Sequence, residues 1–245
     1  MRAYAVSDKG PVRRENQDRG ETCAIRAPRG LILAVCDGMG GANSGALASS
    51  VAIENYLSFL KTHLSSSKKS RVLLSYWMKE ACRSANTAVY QRAISDESNA
   101  GMGTTLVSAV ILGKTAQIIN VGDSRAYLVR GKTMEQITRD HSVVAELVAA
   151  GEITAEQARV HPNRNLITRA IGVEKQAEPD LYLVSLRRGD RLLLCSDGLT
   201  NTLDIETIRS LCADGRSAEA ICRALVERAV SIGARDNVTA AVAIV

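Results

Sequence analysis

The chain runs to 245 residues, 46% hydrophobic and 23% charged, which excludes intrinsic disorder and fits one domain or at most two. Its 31 Lys and Arg are interspersed with 26 acids, giving +5 with no dense basic run, and aromatics reach only 3%, so base stacking has little material and no nucleic-acid partner is expected. Apolar stretches such as 31–35 and 110–112 are far too short to cross a bilayer, and the N-terminus MRAYAVSDKGPVRRENQD lacks an apolar signal core, so a cytoplasmic protein without a membrane partner is expected.

In chain order, β-branched apolar runs predict strands at 22–27 and 31–36. Helical spacing then predicts two long helices, 44–64 and 71–95, joined by a loop, SSSKKS, at 65–70. Strands follow at 104–112, 116–121 and 126–129, and a helix near 143–150. The last third reads as strands at 181–186 and 192–195, helices at 205–213 and 218–230, and a final strand at 238–245. Tightly connected strands and paired helices predict a layered α+β fold, not a βαβ alternation, over one domain spanning 1–245. Six scattered cysteines, with no C-x-x-C pair, read as reduced and mostly buried thiols.

The chemistry is written in a recurring local pattern, an apolar strand closing on Asp. It occurs in LILAVCDG (Asp37, Gly38), AQIINVGDS (Asp123) and LLLCSDG (Asp197, Gly198), with related acidic turns in ENQD (Asp18) and ARDN (Asp236). A strand end holds a side chain rigidly, and glycine lets the backbone turn sharply and present its carbonyl. Carboxylates and carbonyls are hard oxygen donors suited to Mg²⁺ or Mn²⁺. Crowded without a cation they would repel and raise one another's pKa. A single Asp-Gly after a strand is more often an ordinary turn. Five such acids raise the odds of a shared site, but spacing alone does not bring them together.

The ordered set RRENQD (13–18), VCDGMGG (35–41), GMGTT (101–105), VGDSRAY (121–127), TRDHS (138–142), ITRAIG (167–172), CSDGLTN (195–201) and ARDNVTA (234–240) resembles the bacterial branch of the PP2C (PPM) family of metal-dependent serine/threonine protein phosphatases. The resemblance runs from end to end. It implies a central sandwich of two antiparallel β-sheets flanked by helix pairs, in four layers α-β-β-α. It also implies a dinuclear Mn²⁺ or Mg²⁺ site that activates a bridging water against phosphoserine and phosphothreonine monoesters. Under it Asp37 bridges the two metals, and the Gly38 carbonyl binds one of them. Asp197 and Asp236 bind the other, and Asp123 joins Asp197 at a third, weaker ion. Asp18 orients metal-bound water, Arg13 holds the substrate phosphate, and Asn237 shapes the turn beside Asp236. The implied partners are Ser/Thr-phosphorylated proteins, a cognate Ser/Thr kinase among them, and a monomer is the default.

Two positions depart from that pattern. Eukaryotic relatives carry His after the first DG, where this chain has Met39, and many bacterial relatives carry GGH, where it has Ala42. Only His63, His141 and His161 remain. His63 is read as a surface residue near a helix end. His141 and His161 flank the segment matching the family's mobile flap, about 143–165, and a structural role is favoured for each. The flap itself reads either as a helix pair packed on the sheet or as a gate that selects substrates. Cys195, two residues before Asp197, reads as a buried packing thiol.

Three other classes compete. A cysteine-nucleophile phosphatase would need one of the two C-x5-R stretches, 23–29 and 222–228. The first contains Pro28, which has no N–H for a phosphate, and the second falls in a predicted helix whose N–H groups are already bonded. A catalytically silent phosphoprotein-binding protein on the same fold is the alternative reading, disfavoured because every ligand position is filled. A P-loop kinase or ATPase lacks its G-x-x-x-x-G-K-[ST].

Overall fold

The computed structural model describes residues 1–25, 30–41, 44–64, 71–213 and 215–245, without the side chains of 71 and 72. Its strands are β1 Arg2–Asp8, β2 Asp18–Ile25, β3 Gly30–Met39, β4 Gly103–Thr104, β5 Leu106–Leu112, β6 Thr115–Val121, β7 Arg125–Arg130, β8 Thr133–Gln136, β9 Asp180–Ser185, β10 Arg191–Cys195 and β11 Val238–Ile244. Its helices are α1 Ser44–Leu64, α2 Arg71–Ser95, α3 Val143–Ala149, α4 Ala155–Val160, α5 Asp197–Thr200, α6 Ile205–Ala213 and α7 Ala218–Ser231. One sheet runs β1-β11-β10-β7-β8 and the other β2-β3-β5-β6-β9, with β4 also paired to β3. Every strand pair is antiparallel.

Period-two alternation assigns each central strand to two cores at once. On β3, Ile32, Ala34 and Cys36 pack against α1 and α2, while Leu33 and Val35 face the opposing sheet. On β10, Leu192 and Leu194 fill the space between the sheets, while Leu193 and Cys195 pack under α6 and α7. On β11, Ala241 and Ala243 point inward and Val238, Ala240 and Val242 outward. Burial on both faces explains why these strands read as unbroken apolar runs. The result is the expected two-sheet sandwich with a helix layer on each side.

The long helices and α6 match their expected spans, and four features differ. The run 104–112 is interrupted at Thr105, which donates its N–H to the Asp37 carbonyl and accepts from the Asp37 N–H through Oγ1. β3 continues to Met39, so Asp37 lies inside a strand and does not close one. β1 and β8 are additional strands; β1 is only partly buried and β8 exposes all but Met134, so neither carries a strong apolar signal. His63 is not a plain surface residue. It stacks on Phe59 at 4.1 Å between centroids and lies 4.5 Å from Trp77. The loop expected at 65–70 and position Ala42 lie outside the described residues.

Candidate active site at the rim of the sandwich

The same alternation that builds the inter-sheet core places polar groups where it ends. On β3, Leu33 and Val35 are followed on that face by Asp37, and the β2–β3 register sets Asp18 directly opposite it. On the facing sheet, Leu192 and Leu194 lead to Ser196, and Ala243 and Ala241 lead to Thr239. Ser196 Oγ and Thr239 Oγ1 each donate to Asp18 Oδ2 at 2.7 Å. Thus four polar side chains from both sheets close one end of an apolar core.

Like charges opposite one another across a strand pair are destabilising, and burial penalises both. Asp18 is 1% exposed, and its carboxyl is pushed up to about 6, first by burial and then against the lowering hydrogen bonds from Ser196 and Thr239. Asp37 is held well above the usual carboxylate range, by burial first and then by the charges of Asp18, Asp197, Asp123 and Asp236. Asp197 is raised by burial and by Asp236, offset by a hydrogen bond with the Asp37 carboxyl. Asp123 is pushed up to about 7 by burial and by the charges of Asp197 and Asp140. Five acids separated by up to 218 positions in the chain therefore share one electrostatic field.

Close backbone packing fixes where these acids stand. A Cβ on Gly38 would run into the carbonyl of Gly45 and lie 2.7 Å from that of Gln17, and one on Gly198 would strike the carbonyl of Asn237. Only glycine lets α1 approach β3, and α5 approach β11, this closely. Gly10, at φ +72°, sits where a Cβ would come within 2.7 Å of the Asp236 carbonyl. Around the acids, Thr104 Oγ1 donates to the Asp37 carbonyl at 2.9 Å, and Asn201 Nδ2 donates to Asp197 Oδ2 at 2.9 Å. Thr104, Thr105, Ser196, Asn201 and Thr239 carry no sequence signal of these contacts, although they lie in the motifs GMGTT, CSDGLTN and ARDNVTA.

Asn237 does more than shape its own turn. Its Nδ2 donates to the carbonyls of Lys9 and Glu15, and its Oδ1 accepts from the Gln17 N–H at 2.8 Å. This amide therefore staples the 9–17 loop, which carries Arg13, to the start of β11. Arg13 Nη2 lies 2.7 Å from Asp236 Oδ2, with both side chains partly open to solvent. Its guanidinium is raised first by the hydrogen bond to Asp236, and it also feels Asp37 and Asp197.

The remaining residues sort clearly. His141, 5% exposed, accepts from the Gly122 N–H through Nδ1 at 3.1 Å, so its Nε2 carries the proton toward Asp180 Oδ2 at 3.2 Å. It ties the flap base to the turn before Asp123, a structural role. His161 caps α4 and accepts from the Asn163 N–H. Arg125 and Asp140, passed over in the sequence, form a bidentate pair with contacts of 2.6–3.0 Å beside Asp123. The flap is not a helix pair packed on the sheet, because α3 and α4 contain no buried residue. It is held at its base by the Ser142–Ile167 bridge and by Val143 N–H donating to the Leu166 carbonyl. Cys222 is buried in α7 with Sγ donating to the Tyr4 carbonyl, and its thiol is pushed up to about 12; Cys23 is also raised by burial. Neither is an activated nucleophile. Cys195 is buried and likewise pushed to about 12.

The donor chemistry fits divalent cations. The acids are hard ligands held at an unfavourable mutual distance, and Asp18 Oδ1 is buried with no hydrogen-bond partner among the described residues. Among the described residues no three His, Cys, Asp or Glu stand together in an arrangement that could hold a metal ion as they are placed. Asp236 Oδ2 engages Arg13 instead, and Mg²⁺-type ions in any case retain several waters.

Comparison with known proteins gives this geometry a family. The protein phosphatase 2C profile matches residues 23–238. A serine/threonine phosphatase, stp, of Listeria welshimeri is 36% identical over 241 residues, 98% of this chain and 94% of that protein. The crystal structure of serine/threonine phosphatase Stp1 from Staphylococcus aureus, 35% identical, superposes with a TM-score of 0.90 over 99% of this chain and 94% of that one. The catalytic domain of the phosphatase PstP, solved in complex with two manganese ions, is 36% identical with a TM-score of 0.85, covering 99% and 97%. With its fold, its acidic rim and its full-length relatives in agreement, the chain belongs to the bacterial branch of the protein phosphatase 2C family.

Proposed function

We propose that this chain, a protein serine/threonine phosphatase, hydrolyses phosphoserine and phosphothreonine monoesters at the Asp18/Asp37/Asp197/Asp236 rim, releasing the alcohol and inorganic phosphate. The observation that carries the reading is the gathering of these carboxylates around Asp37, with the pKa values of Asp18, Asp37 and Asp197 pushed up by burial and by neighbouring carboxylates. Two divalent cations, Mn²⁺ or Mg²⁺, held by Asp37, Asp197, Asp236 and the Gly38 carbonyl, would supply charge neutralisation at the phosphoryl group and acidify water there.

The chain's own residues do the rest. Arg13 offers a planar fork matched to two phosphate oxygens, and the Asn237 staple holds its loop in place. Asp18, with one oxygen tied to Ser196 and Thr239 and the other free to accept, orients water and takes its proton. Asp123, beside Asp197, is the position for a third, weaker ion. With Met39 following the first DG, and His141 engaged on both nitrogens, water is the group that protonates the leaving alkoxide. The substrates are phosphoproteins, a partner Ser/Thr kinase among them, and the enzyme acts as a cytoplasmic monomer; no described helix is long and apolar enough to cross a membrane.

The test is hydrolysis of a phosphothreonine peptide with added Mn²⁺ by wild type and by Asp197→Ala. Turnover is expected in the first and its loss, with the circular dichroism spectrum retained, in the second. Equal turnover by both would refute the assignment.

A further inference from the structure

Between the end of α2 and the 172–173 turn lies a hollow that the chemistry above does not use. It has a volume of about 270 Å³ and is lined by Tyr90, Ala93, Ile94, Glu97, Gly101 and Val173, among others. Two of its apolar walls are held open to solvent, Ile94 at 67% and Val173 at 47% exposure. Its volume falls below the usual 300–1,000 Å³ of a small-molecule site, but suits one apolar side chain. Glu97 stands at its edge with no ion-pair or side-chain hydrogen-bond partner among the described residues.

The hollow is rigidly joined to the site. Asn86, 1% exposed on α2, accepts from the Gly172 N–H at 2.7 Å and donates to the carbonyls of Glu174 and Lys175 at 3.0 Å. Gly172 takes φ +89° against Val89, where any Cβ would collide. Ile171 exchanges both main-chain hydrogen bonds with Thr104, and Thr104 Oγ1 holds the Asp37 carbonyl. On the other side Gly103 pairs with Met39, and a Cβ there would touch both Val173 and the Met39 methyl. From Asp37 the path is thus two residues of strand, one inter-strand step and the Val173 side chain. That is about 12–15 Å at strand spacings, or about four residues of extended peptide.

We propose that this hollow is a substrate subsite. It receives an apolar side chain of the phosphoprotein about four residues from the phosphorylated Ser or Thr, with Glu97 favouring a Lys or Arg next to it. The inference rests on the phosphatase reading above and names which phosphoproteins that site prefers. The occupant is the substrate's own chain because Val173 lies within about 12–15 Å of Asp37 along this path, so a peptide held by its phosphate is within reach. An apolar side chain there leaves water without requiring any movement of the acids.

The test uses the full chain with Mn²⁺ and a set of phosphothreonine peptides that are Gly/Ser-based except for one Leu-Lys pair, moved through the third to fifth positions on either side. Turnover of para-nitrophenyl phosphate and of the plain peptide is read alongside. We expect kcat/KM to rise about fivefold to tenfold for one placement of the pair. Ile94→Asp should abolish that gain, and Glu97→Lys should remove the part due to Lys, with the plain peptide and para-nitrophenyl phosphate unchanged in both. Equal kcat/KM for every placement, or a gain that survives Ile94→Asp, would overturn the subsite while leaving the phosphatase reading standing. Absence of turnover on every substrate would remove that reading, and the subsite with it.

Discussion

The acidic rim and the flap are built on opposite principles. At the rim, Asp18 and Asp37 lie on paired strands, with backbone so close that Gly38 and Gly198 admit no Cβ. Unfavourable charge is stored there because the surrounding packing leaves it no way to relax. In the flap, α3 and α4 bury no residue, Val160 is 80% exposed, and the segment hangs from a few backbone hydrogen bonds at its base. A region with few buried contacts opens at low free-energy cost. The protein thus sets a fixed acidic rim beside a loosely held flap.

That contrast can be tested most severely at the rim. Asp37→Asn removes the charge on which the other acids converge, and several kcal/mol of transition-state stabilisation go with it. At 1.36 kcal/mol per tenfold, kcat should fall by about a thousand-fold or more, while thermal stability without metal holds or rises, because one buried like charge is gone. Kinetic assay and a melting curve in EDTA check both halves. Arg13→Ala should lower kcat/KM on phosphopeptides by about tenfold to a hundredfold, from the loss of about 1.5–3 kcal/mol of charge-assisted bonding, and the fold should be unaffected.

A stability comparison sharpens the same point. Gly198→Ala forces a methyl into the Asn237 carbonyl, and overpacking of this kind costs about 1–3 kcal/mol, or a drop of roughly 3–10 °C in Tm at this chain length. Val160→Ser in the flap should stay within about 0.5 kcal/mol of wild type. Exchanging the flap (143–165) for a relative's should alter preference among phosphopeptides and leave para-nitrophenyl phosphate turnover in place. Unchanged preference would show that the flap selects nothing.

A further effect is expected in pH. Asp18, raised to about 6, and Asp123, raised to about 7, keep protons in the folded state that the unfolded chain releases above its ordinary carboxylate pKa near 3.8. Raised folded pKa values give stability that is lost as pH rises through them. The metal-free protein should therefore melt at a higher temperature at pH 5 than at pH 8. Mn²⁺ binds the charged form and should restore Tm at pH 8 by mass action.

Much of the fold was legible because its strands are buried on both faces and its helices are long. The runs at Leu31–Leu33 and Leu192–Leu194 admit no other reading once paired, and α1 and α2 match their expected bounds. β1 and β8 were not legible, since edge positions demand little apolar patterning. At the site, an acid or glycine in a recurring turn announces itself. Thr239 and Ser196 do not, because a hydroxyl on a strand carries no sign of the carboxylate it will meet across the sandwich. Asn237 illustrates the same limit. Its neighbour Asp236 suggested a turn, while its real task, holding residues 9–17, depends on a contact spanning 228 positions. The flap's amphipathic pattern misled in the other direction, suggesting a packed face where the chain leaves one open.

The decisive measurement is anomalous diffraction from crystals grown with Mn²⁺. Two manganese peaks bounded by Asp37, Asp197, Asp236 and the Gly38 carbonyl, with Asp236 released from Arg13, are the predicted result. Manganese bound elsewhere, or a rim in which Asp236 remains paired with Arg13 at saturating metal, would contradict it.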